Sequence, residues 1–237
     1  MSVAALRRIS WRHPEGAAAG IAALAWALLL IPFAGGGGRG LHTAAHDAMP
    51  LAAGAAGWLV MATAMMLPAT LPAARDLALG ALWSRRQRTV AIFAAAYVGV
   101  WAAFGAVAYT VGQVRGAVPG ISAATLLPAV LLLAALWELT AWKWRAVRSC
   151  HLITPLPPRG GKADAACVKA GLRYGWRCVA ACWPLMLAMA IVGHSSLGLM
   201  ALLTAVVVAE KLAARPGRLA FPVAAILAGA ALTSMAG

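Results

Sequence analysis

The chain has 237 residues, of which 63% are hydrophobic and only 11% are charged. This composition excludes an ordinary soluble domain and is typical of a membrane protein with several spans. A net charge of +14 would suggest nucleic-acid binding in a soluble protein, but the basic residues here lie in short segments beside apolar runs. They therefore indicate orientation in a membrane, and we expect no nucleic-acid partner.

Seven apolar segments follow one another along the chain, and each is a candidate transmembrane helix. The first four and the last approach the ~20 residues that a span requires. The fifth and sixth are shorter, unless the fifth begins near Leu172, and a six-span count holds if the first or last segment is peripheral. The segments are Gly16–Phe33, Leu51–Leu71, Val90–Gly112, Ile121–Trp142, Val179–Gly193, Leu197–Ala213 and Leu219–Ala236.

The distribution of basic residues predicts the orientation. With a cytoplasmic N-terminus, all of the 20 Lys and Arg residues except Arg39 and Arg115 lie on the inner side. This bias follows the positive-inside rule. We therefore expect an all-α, polytopic transmembrane helical bundle, forming one integral membrane domain over residues 1–237 in a bacterial cytoplasmic (inner) membrane. A basic cytoplasmic loop is predicted over residues 143–178.

The predicted outer loop, residues 35–50, carries metal-ligating side chains after a glycine run. His42 and His46 are four residues apart, so both can face one metal if the segment is helical, with Asp47 or Met49 completing the set. Zn, Cu(II) and Cu(I) are all compatible with these ligands. Taken singly, each histidine is more typical of a solvated loop residue.

Methionine and proline recur at helical spacing in the second segment. One face carries Met61, Met65, Pro68 and Pro72, and Met66 lies beside it. A proline inside a span frees a backbone carbonyl, which is tolerated where the backbone is buried or lines a cavity. Methionine is also a common packing residue, so this stripe alone is more typical of a core than of a metal site.

The fifth segment carries four sulfur-containing side chains, Cys178, Cys182, Met186 and Met189. With 3.6 residues per turn, all four fall within about 80° on one side of a helix. Thiolates and thioethers are the soft ligands that select Cu(I), and thiolates also bind Zn. The cytoplasmic side is reducing, so we expect free thiols there and no disulfide. The competing interpretation of Cys182 is a small buried packing residue.

Two carboxylates lie in or near the predicted spans. An acidic residue inside a membrane is a candidate functional group because its burial is costly. Glu210 precedes Lys211 near the inner interface, where an ion pair or snorkelling is expected. Glu138 lies deeper and is a candidate for proton or metal coupling.

Three blocks of sequence carry a family resemblance. They are Trp58-x-x-Met61-x-x-Ala64-Met65-Met66-x-Pro68-x-x-x-Pro72, Leu139-Thr140-x-x-Lys143 followed by Cys150, and Gly175-x-x-Cys178-x-x-x-Cys182-Trp183-x-Leu185-Met186 followed by Gly193 and Glu210-Lys211. Together they resemble a bacterial family of predicted metal-binding integral membrane proteins, known as a domain of unknown function, some members of which are described as copper chaperones. The resemblance covers most of the chain and implies copper handling.

The chain departs from the family pattern at three positions. Tyr174 stands where members often have a histidine. Ala181 and Ala146 stand where members often have further cysteines. The resemblance therefore implies an inner site with fewer ligands than is usual in the family.

These observations predict a membrane copper chaperone or conduit that is not an enzyme. In this hypothesis Cu(I) is met outside by the histidines, passes the methionines of the spans and reaches the cysteines inside, through sites that bind without trapping. The expected partners are the lipid bilayer and a copper-dependent enzyme or membrane complex. The predicted metal ligands are Cys178, Cys182, Met186, Met189, Met61, Met65, Met66, His42, His46 and Met49.

Two other classes of function stay open from the sequence. A non-catalytic structural or assembly subunit of a larger membrane complex would use the Met- and Ala-rich faces as helix interfaces. A membrane thiol redox protein would use Cys178 and Cys182, although their spacing suits this less well than Cys-x-x-Cys. The most discriminating observation is whether the methionines of the second segment face the sulfur stripe of the fifth.

Overall fold

Helices are the only regular secondary structure in the part of the chain that the computed structural model describes. That part contains nine α-helices, short 3₁₀ turns and no strand. The prediction of an all-α helical bundle is confirmed. The described residues are 13–34, 51–116, 123–150, 157, 159–192, 197–213 and 216–236.

Most helices follow the apolar segments of the sequence, because a helix satisfies its own backbone hydrogen bonds where water is absent. We number the helices α1 to α9 in chain order. They are α1 Gly16–Ala34, α2 Leu51–Met66, α3 Leu71–Leu79, α4 Arg86–Gly116, α5 Ala123–Glu138, α6 Ala141–Ser149, α7 Gly160–Val192, α8 Leu197–Leu212 and α9 Ala220–Ala236. The 3₁₀ turns are Pro68–Thr70, Trp83–Arg85 and Pro216–Leu219.

Three described helices are long and apolar enough to cross a membrane, or five if each of two bent helix pairs forms one span. This number is below the predicted seven, since the stretch Gly16–Ile31 and the 16 residues of α8 are shorter. The cytoplasmic N-terminus stays a prediction. The candidate spans are Trp83–Thr110, Gly160–Ile191 and Gly217–Met235, and the bent pairs are Gly54–Met66 with Pro68–Leu79 and Thr125–Glu138 with Ala141–Ser149.

Each bend lies near the C-terminal end of a predicted segment, and the second helix of each pair continues beyond that segment. Pro68 has no N–H to continue α2, so α2 and α3 meet at 46° across a 3₁₀ turn. The second bend, of 71°, follows the end of α5 at Glu138. There the Thr140 hydroxyl accepts a hydrogen bond from the backbone N–H of Lys143 at 3.3 Å and caps α6.

The stretch 143–178, predicted as a basic loop, is largely helical. It contains most of α6 and the first half of α7, which begins at Gly160 with a positive φ of 77°. α7 is therefore 33 residues long and starts well before Leu172. Its polar first half is held to α4 by Asp164, which forms ion pairs with Arg85 and Arg88.

Glycines allow close packing of α4 against α7. A Cβ atom added at Gly171 would lie 2.5 Å from the Phe93 carbonyl oxygen and 2.7 Å from the Ala96 Cβ. A Cβ at Gly175 would meet the Val100 side chain at 2.9 Å. Small residues allow helices to approach closely in lipid, so α4 and α7 pack closely against each other beside the candidate site.

Replacement of Gly171 by alanine tests the close approach of α4 to α7. We expect Gly171→Ala to destabilise the protein by about 1–3 kcal/mol, because the new methyl group meets backbone that cannot rotate away. The matched control is Gly99→Ala on α4, where nothing lies within 4 Å of the added Cβ. Thermal unfolding followed by circular dichroism in detergent measures both, and equal melting temperatures for the two variants would contradict the tight contact.

Candidate metal centre

The sulfur stripe of α7 faces the interior of the protein. Cys178, Cys182, Met186 and Met189 are each at most 1% exposed. The i, i+4 and i+8 positions share one side of a helix, and here that side is the one packed against the core. The stripe is therefore fully shielded from the surroundings of the bundle.

The methionines of the second predicted span are buried in the same way. Met61, Met65 and Met66 of α2 are each at most 1% exposed and belong to the same hydrophobic cluster as the α7 stripe. Met200 of α8 also belongs to this cluster and has no exposed surface, although it is not among the predicted metal ligands. Its spacing from the buried Leu203 and Val207 is the helical signal that could have found it.

Cys178 lies beside two polar side chains from distant parts of the chain. The Lys211 Nζ donates a hydrogen bond to the Cys178 Sγ at 3.0 Å, and the Tyr97 hydroxyl lies 3.2 Å from the same sulfur. The Lys211 Nζ also lies 4.7 Å from the centre of the Tyr174 ring. A buried ammonium is costly without a partner, so the thiol, the two phenols and the amine act as one cluster.

The break in the second span contacts α7 and α4 directly. Because the Thr70 N–H bonds to the Leu67 carbonyl, the Met66 carbonyl is free to accept from the Tyr97 hydroxyl at 3.2 Å. The Tyr174 hydroxyl donates to the Ala69 carbonyl, also at 3.2 Å. The proline break of the second predicted segment is therefore joined to α4 by Tyr97 and to α7 by Tyr174.

Tyr174 has a clear structural role in this cluster. Its hydroxyl binds the Ala69 carbonyl and its ring lies next to the Lys211 ammonium. Ala181 of α7 is likewise buried, with 1% of its surface exposed.

A second polar cluster, which we call the carboxylate–lysine triad, consists of Glu138, Lys143 and Glu210. All three side chains are buried. The Lys143 Nζ donates to Glu210 Oε1 at 2.7 Å and forms an ion pair with Glu138 Oε1. The triad joins α5, α6 and α8 next to the second bend.

Within the triad, Glu210 does not pair with its sequence neighbour Lys211. Consecutive helical residues point about 100° apart, so Glu210 and Lys211 face different partners. Glu210 binds Lys143, whereas Lys211 binds Cys178. Glu210 does form an ion pair as predicted, but with a residue 67 positions earlier in the chain.

The two remaining cysteines lie outside the sulfur stripe of α7. Cys150 is buried at the end of α6, and this burial raises the pKa of its thiol to about 11, so it is a neutral thiol at pH 7. Cys167 is also buried, but it lies three helical turns, about 16 Å, before Cys178 along α7. Cys167 is therefore a matched thiol outside the centre.

The described residues contain no group of three or more His, Cys, Asp and Glu side chains that could hold a metal ion. Among the described residues, the centre offers the two thiols of α7 and the buried thioethers of α7 and α2. The predicted outer ligands His42, His46 and Met49 lie outside the described residues.

Removal of the triad cation tests its contribution to stability. We expect Lys143→Met to destabilise the protein by about 3–5 kcal/mol, because it leaves buried carboxylate charge without a counter-ion. Lys162→Met, at an exposed lysine of α7, is the control and should change the free energy of unfolding by no more than about 0.5 kcal/mol. Chemical unfolding in detergent measures both values, and a Lys143→Met protein as stable as its control would contradict the ion-pair geometry.

The chain is similar to a known family along most of its length. The copper chaperone family PpoB2 matches residues 55–234, a range that contains the centre and the triad. No curated protein and no solved structure matches the chain. The resemblance inferred from the three sequence blocks is confirmed, and the chain belongs to the copper chaperone family PpoB2.

Proposed function

We propose that this protein is a membrane copper chaperone or conduit that binds Cu(I) through buried sulfur ligands and is not an enzyme. The proposed compartment is the bacterial inner membrane, with the N-terminus in the cytoplasm. The observation that carries the proposal is the burial of two thiols and two thioethers on one face of α7, in the same cluster as the methionines of α2. The family supports a copper-related role.

The donor set favours movement of Cu(I) over permanent storage. Soft sulfur ligands bind Cu(I) at low coordination number, and exchange between neighbouring weak sites lets an ion enter and leave. Met61, Met65 and Met66 would form one wall of the path, and Met186 and Met189 the other. Cys178 and Cys182 would form the tighter inner end, because thiolates bind more strongly than thioethers.

Lys211 supports this role for the cysteine pair through charge. Cu(I) held by two thiolates carries a single net negative charge, which is expensive to bury in an apolar core. The Lys211 ammonium, 3.0 Å from the Cys178 Sγ, supplies the compensating positive charge. The phenol of Tyr97 adds a hydrogen bond at 3.2 Å.

The outer end of the path is proposed from the sequence. His42, His46 and Met49 precede α2 and would deliver copper to its methionines. They lie before the matched range of 55–234, so the family match does not extend to them. We further propose that a copper-dependent enzyme or membrane complex exchanges copper with this protein.

The cysteine pair is tested by copper competition. We expect the Cys178→Ser, Cys182→Ser double variant to bind Cu(I) at least about 100-fold more weakly, because hard hydroxyls replace soft thiolates. Cys167→Ser, which removes a buried thiol of the same helix, should keep the full affinity. Titration against a chromophoric Cu(I) chelator, with copper counted by mass spectrometry, gives both values. Equal affinity and stoichiometry in the double variant would exclude the cysteine site.

The methionine path is tested by transfer kinetics. Met61→Leu with Met65→Leu keeps side-chain volume while removing both sulfurs, so the fold should be retained. We expect Cu(I) transfer across proteoliposomes to slow at least about tenfold, while equilibrium binding at the cysteines changes little. Met235→Leu, at an exposed methionine of α9, is the control. A double variant that transfers copper at the control rate would show that α2 only packs the core.

A further inference from the structure

The carboxylate–lysine triad takes no part in the proposed copper path. Its three side chains come from α5, α6 and α8, and each is at most 1% exposed. Lys143 binds both carboxyl groups through their Oε1 atoms. The triad therefore has two acidic groups and one basic group in a volume that is closed to solvent.

The charges within the triad do not balance when both carboxyl groups are ionised. Two carboxylates and one ammonium leave one net negative charge, which is expensive in the interior of a membrane bundle. Glu138 Oε2 is buried and has no hydrogen-bond partner among the described residues. A bare, buried carboxylate oxygen is a costly arrangement unless it carries a proton.

Among the residues that the structure describes, the groups around the triad provide no second cation for this oxygen. Lys211 adjoins Glu210 in sequence but binds Cys178. Arg145 of α6 is exposed and lies over the Trp142 ring. Cys182 of α7 interacts electrostatically with Lys143, and α9, which packs on α5, contributes no titratable side chain.

We propose that the carboxylate–lysine triad is a proton-binding site that holds one exchangeable proton on Glu138 Oε2. Proton uptake forms one O–H bond at this oxygen, involves no electron transfer and makes the triad neutral. The triad is a poor site for a metal cation, since the Lys143 ammonium already occupies the space between the carboxyl groups. Release of the proton restores the negative charge beside Lys143.

A link to copper follows from the position of the triad, and this link rests on the proposed function. Glu210 and Lys211 are consecutive residues of α8, so the triad and the Cys178–Lys211 contact share one helix turn. Binding of Cu(I) by two thiols releases their two protons and leaves one more negative charge in the core, so the triad should hold its proton more tightly when copper is bound. The proton site itself exists in metal-free protein and is tested there.

The experiment is infrared difference spectroscopy on the reduced, metal-free full chain in lipid nanodiscs over a pH series. We expect a carbonyl band of a buried protonated carboxyl group that shifts in D2O and disappears at high pH. Glu138→Gln should abolish it. Asp76→Asn, at an exposed carboxylate, should leave it unchanged. With only six acidic side chains in the protein, the assignment is tractable.

A second variant keeps the test decisive if Glu138→Gln fails to fold. Glu210→Gln removes the excess negative charge, so the band should persist but vanish about one to three pH units lower than in the parent protein. The proposal is overturned if the folded parent protein shows no such band at any pH. It is equally overturned if the band survives in Glu138→Gln or keeps its midpoint in Glu210→Gln. Failure of copper binding at the cysteines would leave this band intact, so the two proposals fail separately.

Discussion

The described core depends on one constraint: the backbone carbonyls that are left without helical partners at the Pro68 break must find hydrogen-bond donors. In a membrane bundle, polar backbone groups must find partners within the protein because water is absent. Here the Met66 and Ala69 carbonyls accept hydrogen bonds from the hydroxyls of Tyr97 and Tyr174. These two bonds hold the broken span against α4 and α7, and they bring the methionines of α2 into the core that contains the sulfur stripe. The glycine-mediated approach of α4 to α7 keeps both tyrosines in position.

Charge in this core is arranged as two neighbouring but separate clusters. The Lys211 ammonium faces a thiol and two phenols, whereas the Lys143 ammonium faces two carboxyl groups. A sulfur atom therefore lies beside one buried lysine, and carboxylate oxygens lie beside the other. Because the two lysines do not share acceptors, the charge of one cluster can change while the hydrogen bonds of the other are maintained.

Local periodicity predicted much of this structure, but it could not predict which distant residues pair. The all-helical fold and the shared face of the α7 sulfurs follow from apolar runs and helical spacing. The charges in the first half of α7 favour the prediction of a loop, although the buried residues Ala163, Cys167 and Tyr174 recur at helical intervals. Contacts such as Lys143 with Glu210 join residues far apart in the chain, and periodicity carries no information about them.

The hydroxyl of Tyr97 connects the chemical state of one sulfur to the geometry of a helix break. A hydroxyl has one proton to donate, and here it lies at 3.2 Å from both the Met66 carbonyl oxygen and the Cys178 Sγ. While Cys178 keeps its proton, its S–H can donate to the Tyr97 hydroxyl oxygen. The Tyr97 O–H is then available for the Met66 carbonyl, so every acceptor has a donor. A sulfur that has given up its proton to bind a metal competes with the carbonyl for that single donor. Under the proposed function, copper binding at Cys178 and the geometry of the kinked span would therefore be coupled through this one hydroxyl group.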